Sequence, residues 1–524
     1  MVVVEFDYND FGEIFGIDKQ KTIDALTEIG APTEVDPETG KLFVEVTPNR
    51  PDWYSVLGLA RAIKSYYSAK NEKYSVGPGE WKVIVDKKVQ NIRPYTVNAV
   101  IKGLELDDLK IRDMVLLQEK LLATLGRRVK RFGIGIYPLD KIKFPVRYTT
   151  MKPKDIVYRP LGFSKKANAP EILKTHPKGQ DYGYIIEEYD EFPVYIDADN
   201  EIMALIPVVN SEETGKVDEK TKNIFIEVSG NDIIGVKQAL NVLVCHFIDL
   251  GGKVYDVEVE YENEKIRTPD LEYKKVDLKM DRVAGVLGVE IKEDEMKKML
   301  ERMGYLIDKN NIYIQPYRTD ILADVDVIED IAIVYGYNNF KPTVPDFFHP
   351  GKKNTEHAAV DNLMKNMGFV EICTPILTNK ETLSLFGYDG IDVLNPQTKE
   401  YTRLRAAIIP NMVEVLSRNR MRGLPQKLYE IGRIVGGEEE VHLCFAMVDK
   451  GLEFSVARGS LQTIINGLGE EFELKETKNG FFESPYSSDI IINGKKRGVF
   501  GKLKKEVGDG FGFEFPVFLC EISI

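Results

Sequence analysis

The sequence predicts an α+β fold spread over several domains. Three observations carry this expectation. The chain's 524 residues exceed what one hydrophobic core normally supports. Strand-like alternation and helical spacing of apolar residues succeed one another along its length. Shifts of composition and Gly/Pro punctuation divide it into regions 1–85, 86–261, 262–342 and 343–524. Hydrophobic residues make up 43% and charged residues 29%, as in an ordinary globular chain. No apolar run approaches the roughly eighteen residues of a membrane span, and the start, MVVVEFDYNDF, has no basic flank or cleavage site, so neither membrane insertion nor secretion is expected. Cys245, Cys373, Cys444 and Cys520 are scattered in apolar contexts without a CxxC pair, and are expected as buried thiols of a reducing cytoplasm. A net charge of −13 excludes broad electrostatic attraction to nucleic acid, so any RNA must meet local basic patches.

The first region alternates a helix over 19–29, the strand KLFVEVTP and an amphipathic helix over 54–67. Between the last two lies NRPD, Asn49 to Asp52, a strand-to-helix corner in which Pro51 pins φ and Asp52 or Ser55 can cap the helix.

The second region is β-rich, with a helix over 111–125. GRRVKRFGIGIYPLDKI then sets Arg127, Arg128, Lys130 and Arg131 ahead of a Gly-interrupted strand, a solvated loop or a local patch for RNA. LIPVVNSEETGKVDEKTKNIFIEVSGND reads as two strands around an acidic polar loop, with Asn210 and Asp232 as turn residues.

In the third region Glu293 or Asp294 starts an amphipathic helix with Met296, Met299, Leu300 and Met303 facing inward. Two helices and a short strand ribbon are similar to winged-helix nucleic-acid binders, although the acidic charge argues against that use. KPTVPDF, with Pro342 and Pro345, reads as a linker.

Within this region PYRTDILADVDVIEDIAIVYGY holds the densest chemistry. In a helix from about 326, Asp326, Glu329 and Asp330 share one face, and Asp320 can reach it across the preceding turn with nothing basic between them. Converging carboxylates raise one another's pKa unless a cation neutralises them, and hard oxygen donors suit Mg²⁺. The same acids also complement the helix macrodipole while Val327, Ile328, Ile331, Ala332 and Val334 pack inward. Spacing alone leaves both readings open.

The wording of this segment resembles the phenylalanine tRNA synthetase beta subunit family, in which R-x-D precedes D-x-I-E-D/E and an aliphatic stretch ending YGY. Arg318, Asp320, Asp326, Ile328, Glu329, Asp330 and Tyr335 to Tyr337 meet that pattern. Asp330 stands where bacterial members have Glu, as archaeal and eukaryotic members tend to. The NRPD corner is a second point of resemblance, and further motifs in the family's order extend it over nearly the whole chain.

The resemblance implies an N-terminal α/β structural domain (1–85), a β-rich editing domain (86–261), a winged-helix-like Mg²⁺-binding domain (262–342) and a C-terminal class II synthetase-like antiparallel sheet (343–524). It implies Mg²⁺ ligands at Asp320, Asp326, Glu329 and Asp330. It also implies a hydrolytic pocket matched by Pro207, Asn210, Ser211, Gly230, Asn231 and Asp232, with Ser229 where Thr is usual. An apolar phenylalanine site penalises the hydroxyl of tyrosine by only about a hundredfold, so a second site that reads the phenol and hydrolyses tyrosyl-tRNA is needed.

In the last region, MGFVEICTPILT, the run through Arg403, Arg405, Arg418, Arg420 and Arg422, and KLYEIGRIV with Arg433 follow the family. The ATP-clasping arginines of functional class II sheets are not recognisable, so no adenylation is expected here. Neither an oligonucleotide-binding insert nor a terminal anticodon-binding domain is found, which points to the archaeal or eukaryotic type. The resemblance further implies a cytoplasmic (αβ)₂ heterotetramer that attaches phenylalanine to tRNA(Phe), with ATP used at the alpha-subunit site. The rival expectations are a noncatalytic tRNA-binding scaffold and a metal-dependent phosphoryl-transfer enzyme with two bound metals.

Overall fold

A computed structural model describes residues 2–309, 311–344, 349–351 and 357–524. Pro345, in the expected linker, lies outside them. The chain forms two compact units, Met1–Val344 and Pro345–Ile524. No described helix is long and apolar enough to cross a membrane.

The first unit begins with a three-stranded sheet, β1 (Val2–Phe6), β2 (Thr33–Val35) and β3 (Leu42–Val46), in the order β1-β3-β2. The helix Val56–Ser68 follows, and Ser55 caps it by accepting the Gly58 N–H at 3.0 Å. A second cap comes from far along the chain: the Asp113 carboxylate accepts the N–H groups of Val56 at 2.6 Å and Leu57 at 3.1 Å. Both satisfy donors that a helix start leaves orphaned.

A ten-stranded sheet forms the middle of the unit. Its strands are β4 (Gly77–Val85), β5 (Tyr95–Lys102), β6 (Phe132–Pro138), β7 (Val146–Met151), β10 (Phe192–Ile196), β11 (Ile202–Leu205), β12 (Val209–Asn210), β13 (Ile224–Gly230), β14 (Lys253–Glu260) and β15 (Lys265–Thr268). A separate two-stranded ribbon joins β8 (Val157–Tyr158) and β9 (Ala167–Asn168). The large sheet runs β12-β11-β10-β7-β4-β14-β5-β13-β6, with β15 on β14. It therefore starts at Gly77 and continues past 261, so the expected breaks at 85/86 and 261/262 both fall inside it. A glycine near the start of β4 has a packing role. A Cβ on Gly79 would collide with the Asp256 carbonyl, and its N–H donates to Asp256 Oδ1 at 2.7 Å.

Although β6 and β12 end the strand order, the sheet curls until they meet. Asn210 Nδ2 donates to the Ile136 carbonyl at 3.4 Å, and a Cβ on Gly133 would lie 2.8 Å from that of Pro207. This closure explains why β6 is buried along its whole length while standing last in the order.

A third sheet, β16 (Lys274–Val276), β17 (Leu306–Asp308) and β18 (Asn311–Ile314), packs with the helices Met280–Leu287, Glu293–Arg302 and Asp324–Tyr335. Met296, Leu300 and Met303 are buried as their spacing predicts. One continuous hydrophobic cluster includes Val2, Leu243, Leu300 and Val334, so the three regions expected within 1–342 share a core.

The second unit is built on a seven-stranded sheet. Its strands are β19 (Val370–Glu371), β22 (Gln426–Val435), β23 (Glu439–Val448), β24 (Phe472–Glu476), β25 (Phe482–Ile492), β26 (Lys495–Leu503) and β27 (Val517–Ser523), in the order β19-β22-β23-β27-β26-β25-β24. Only the β19–β22 pairing is parallel. A small pair, β20 (Leu377–Thr378) and β21 (Arg403–Leu404), stands apart. Period-two alternation sends Leu443, Phe445 and Met447 towards the helices Ala358–Asn366 and Phe454–Gly467. Cys444, Ala446 and Val448 point to the helix Ile409–Arg418 on the other face. Three cysteines are buried as expected, whereas Cys373 is exposed in the irregular stretch after β19.

Candidate active site and acid cluster

The seam where β6 meets β12 encloses a cavity of about 270 Å³. Gly133, Pro207, Asn210 and Val129 contribute to its wall, with the helices Asp108–Ala123 and Pro177–Tyr182 alongside. At its base is Glu227, from the centre of β13 and only 1% exposed. Its Oε1 has no hydrogen-bond partner among the described residues, while Oε2 accepts from the Tyr137 hydroxyl at 3.5 Å. Burial raises the Glu227 carboxyl to about 7 against the opposing pull of the Ser229 hydroxyl and, after it, of Arg93 and the Tyr137 hydroxyl.

Polar groups behind the cavity hold this arrangement. Tyr137 Oη also approaches Asn210 Oδ1 at 3.2 Å, so one phenolic proton faces two acceptors. Arg93, 1% exposed, donates through Nη2 to the carbonyls of Ser229 at 3.0 Å and Val129 at 3.2 Å. The Tyr148 hydroxyl donates to the Arg93 carbonyl at 2.9 Å, and the Tyr148 ring stacks on Tyr195 at 4.9 Å. Tyr195 in turn shares a short hydrogen bond with Thr96.

Of the residues expected at a hydrolytic site, Pro207 and Asn210 line this cavity. Ser211 instead caps the short helix Glu212–Gly215, accepting the Glu213 N–H at 3.2 Å and donating to the Glu213 carboxylate at 2.9 Å. Asp232 caps the helix Ile233–Asp249 and pairs with Arg131, and Asn231 is exposed on the turn before it. Sequence reading missed Glu227. The one signal was an acid in the middle of IFIEVSG, an otherwise apolar strand.

The acid cluster departs from its expected geometry. Arg318, with its side chain 3% exposed, sits between two of the four carboxylates: Nη2 donates to Asp320 Oδ2 and Asp330 Oδ2, both at 2.7 Å. Burial opposes ionisation of Asp320, but Arg318 holds its carboxyl below the usual range. The Tyr305 hydroxyl gives Asp330 another bond at 2.7 Å. Asp326 Oδ2 accepts the N–H groups of Leu322 and Ala323 at 2.7 and 2.8 Å, at the start of the helix, and Glu329 is exposed. The expectation that nothing basic separates these acids is thus corrected, because the arginine two residues before Asp320 folds back among them. Among the described residues no group of three or more His, Cys, Asp or Glu side chains is arranged to hold a metal. As packed, the four do not form a ready ligand cage.

The NRPD corner is the buried hub beside this cluster. Arg50 pairs with Asp52 at 2.8 Å and lies 3.6 Å over the Trp53 ring. Arg61 bonds Asp249 at 2.6 Å and covers the Tyr317 ring at 3.9 Å, next in sequence to Arg318. In the second unit, Arg405 is fully enclosed and paired with Glu430 at 2.8 Å, while Arg403 binds Asp389 and Asp392, which makes both arginines structural. Arg433 is exposed and paired with Glu439 at 2.6 Å.

Comparison with known proteins matches these parts in order. The tRNA synthetase B5 domain profile covers residues 276–337, and the phenylalanyl tRNA synthetase beta chain CLM domain profile covers 341–524. The phenylalanine–tRNA ligase beta subunit of Archaeoglobus fulgidus is 34% identical over 541 aligned positions, spanning 100% of this chain and 98% of that one. That of Pyrococcus abyssi is 34% identical over 93% of this chain and 92% of its own length. A crystallised N-terminal fragment of the phenylalanyl-tRNA synthetase beta subunit from Pyrococcus horikoshii superposes with a TM-score of 0.60 at 34% identity, covering 64% of this chain and 99% of the fragment. With relatives at that identity across its length and the B5 and beta-chain CLM profiles following one another over 276–337 and 341–524, the chain belongs to the phenylalanine–tRNA ligase beta subunit family.

Proposed function

We propose that this chain is the non-adenylating half of a two-chain phenylalanine–tRNA ligase and that the seam cavity hydrolyses tyrosyl-tRNA(Phe). One observation carries the hydrolytic reading: a buried carboxylate, Glu227, lines an otherwise largely apolar cavity with one oxygen unpartnered. A phenol is the group such a site discriminates, because its hydroxyl can bond Glu227 and a phenylalanine ring leaves that acceptor unsatisfied. Size is compatible: a cavity of about 150 Å³ suffices for benzene, and the seam offers about 270 Å³. Asn210, which lines the same cavity and approaches the same Tyr137 hydroxyl at 3.2 Å, is the side chain that would orient the attacking water.

In this reading the alpha subunit uses ATP to attach phenylalanine to tRNA(Phe), and two copies of each chain assemble in the cytoplasm. The third sheet and its helices act as a winged-helix-like brace, and the C-terminal sheet as a class II synthetase-like platform without adenylation chemistry. The enclosed ion pair of Arg405 with Glu430 supports a structural use of the only arginine fully buried in that unit among the described residues. For Mg²⁺ the reading is narrow. Asp320 and Asp330 are held by Arg318, and Asp326 Oδ2 by the N–H groups of Leu322 and Ala323, which leaves the second oxygen of Asp326 and the exposed Glu329, one helical turn apart, to face a largely hydrated ion.

The test is to assay the purified chain for release of tyrosine from tyrosyl-tRNA(Phe) and for amino-acid-dependent pyrophosphate exchange. Deacylation without exchange is expected. Exchange by this chain alone, or no deacylation with or without its partner subunit, overturns the proposal.

A further inference from the structure

Three successive non-glycine residues, Arg127, Arg128 and Val129, have positive φ angles of 49°, 52° and 66°. L side chains rarely enter this region, and β-branched ones least of all. The turn is held on both sides. The Arg128 N–H donates to the Ala123 carbonyl at 3.3 Å, the Val129 N–H to Leu122 at 3.2 Å and the Arg131 N–H to Gly126 at 2.9 Å. The Val129 carbonyl accepts from the buried Arg93, and its side chain, 1% exposed, forms part of the seam cavity.

The effect is to face the apolar third residue into the cavity while the two arginines face solvent. Arg127 lies two residues from that wall, within about 7 Å along the chain. Lys130 is also exposed, and its ammonium rests 5.6 Å from the Tyr184 ring. Among the described residues none of Arg127, Arg128 and Lys130 enters an ion pair, whereas the next residue, Arg131, pairs with Asp232. In a chain of net charge −13, this is a local cationic rim beside a cavity. A loop that needed only to be solvated would take Gly or Asn at such φ values. Here a strained backbone carries two arginines.

We propose that this left-handed turn grips the phosphates of the single-stranded RNA 3′ end whose aminoacyl ester enters the cavity. The proposal rests on the hydrolytic reading above and adds the contact that delivers the substrate. Because phosphates carry no sequence information, the grip positions any strand end without reading bases.

The experiment compares the full-length parent with Arg127→Gln/Arg128→Gln, Arg127→Lys/Arg128→Lys and Arg127→Gly/Arg128→Gly double variants. One readout is binding of a fluorescent RNA minihelix with a single-stranded 3′ end across a salt series, and the other is the KM and kcat of tyrosyl-tRNA deacylation. The Gln and Gly pairs are expected to raise Kd and KM on the order of tenfold, as loss of charge-assisted contacts does, with kcat within about twofold. Their log–log salt slopes should be shallower by about 1.4, or about 0.7 for each single-strand phosphate contact, and the Lys pair should stay close to the parent. Unchanged slopes and KM in the Gln pair overturn the grip. So does a Gly pair that binds like the parent while the Gln pair does not, since backbone strain rather than charge would then be responsible. If the parent fails to deacylate yet the binding slopes change as stated, the hydrolytic reading falls and the RNA contact stands.

Discussion

The guanidinium of Arg318 lies 2.7 Å from the carboxylate of Asp330, which the Tyr305 hydroxyl also contacts. This pair turns an apparent collection of repelling acids into a compensated buried group. Removing one partner of such a pair strands the other charge. Arg318→Met should therefore cost about 3–5 kcal/mol in urea unfolding of the chain, since breaking a buried pair typically does. Adding Asp330→Leu should recover part of the loss. A single variant within about 1 kcal/mol of the parent would contradict the assignment of Arg318 as internal counter-ion.

Glu227 links stability to pH. Its folded carboxyl, raised to about 7 from 4.5, binds a proton more tightly than the unfolded chain does. Its contribution to stability is therefore fully present below 4.5, declines as pH rises, and is gone above about 7. By linkage the difference amounts to about 3 kcal/mol. Glu227→Gln should gain stability relative to the parent between pH 5 and 8, read as thermal midpoints at each pH. Glu227→Met, which removes both side-chain oxygens, should lower deacylation of tyrosyl-tRNA by one order of magnitude or more, the expected result of losing the phenol's acceptor.

Gly133 sets the width of the seam. A Cβ there would lie 2.8 Å from the Pro207 side chain, on a fully buried strand. Gly133→Ala should cost about 1–3 kcal/mol, as overpacking does, and push Pro207 from its place in the cavity wall. We expect kcat for deacylation to fall more than Arg127→Gln/Arg128→Gln lowers it, which separates a change of pocket shape from a change of charge. Equal stability and activity would show that the two strands are not in contact.

His442 provides a pH signature in the second unit. Burial alone would lower its pKa, but bonds to Glu521 at 2.9 Å and Glu440 at 3.3 Å outweigh that and raise it above 6.5. The resulting stability is fully present below pH 6.5 and is lost as pH rises through the higher folded value. Thermal scans from pH 6 to 9 should show the parent losing its advantage over His442→Gln with rising pH. A constant difference would refute the pairing.

Much of the architecture was legible because it follows from periodicity. The inward face of the helix Asp324–Tyr335, the Met-rich face of Glu293–Arg302 and the Ser55 cap all appear where spacing placed them. The breaks expected at 85/86 and 261/262 were less legible, because no local pattern tells that β4 before the first and β15 after the second both pair with β14 in one sheet. Arg318 was visible in the motif, but no spacing rule says that a side chain will turn back between two acids. Glu227 escaped because a strand buried on both faces has no alternation to mark one position as special. Asp232 and Ser211 drew attention as polar residues at strand ends, where helix capping suffices to explain them.

The shared hydrophobic cluster between Val2 and Val334 has a consequence for inheritance. Exchanging segments between homologues at residue 85 or 261 would divide a sheet and leave mismatched side chains facing each other across the cut. Crossovers beyond Val344 spare that interior, so the first 344 residues should pass between lineages as one block while the C-terminal unit diversifies at its own pace.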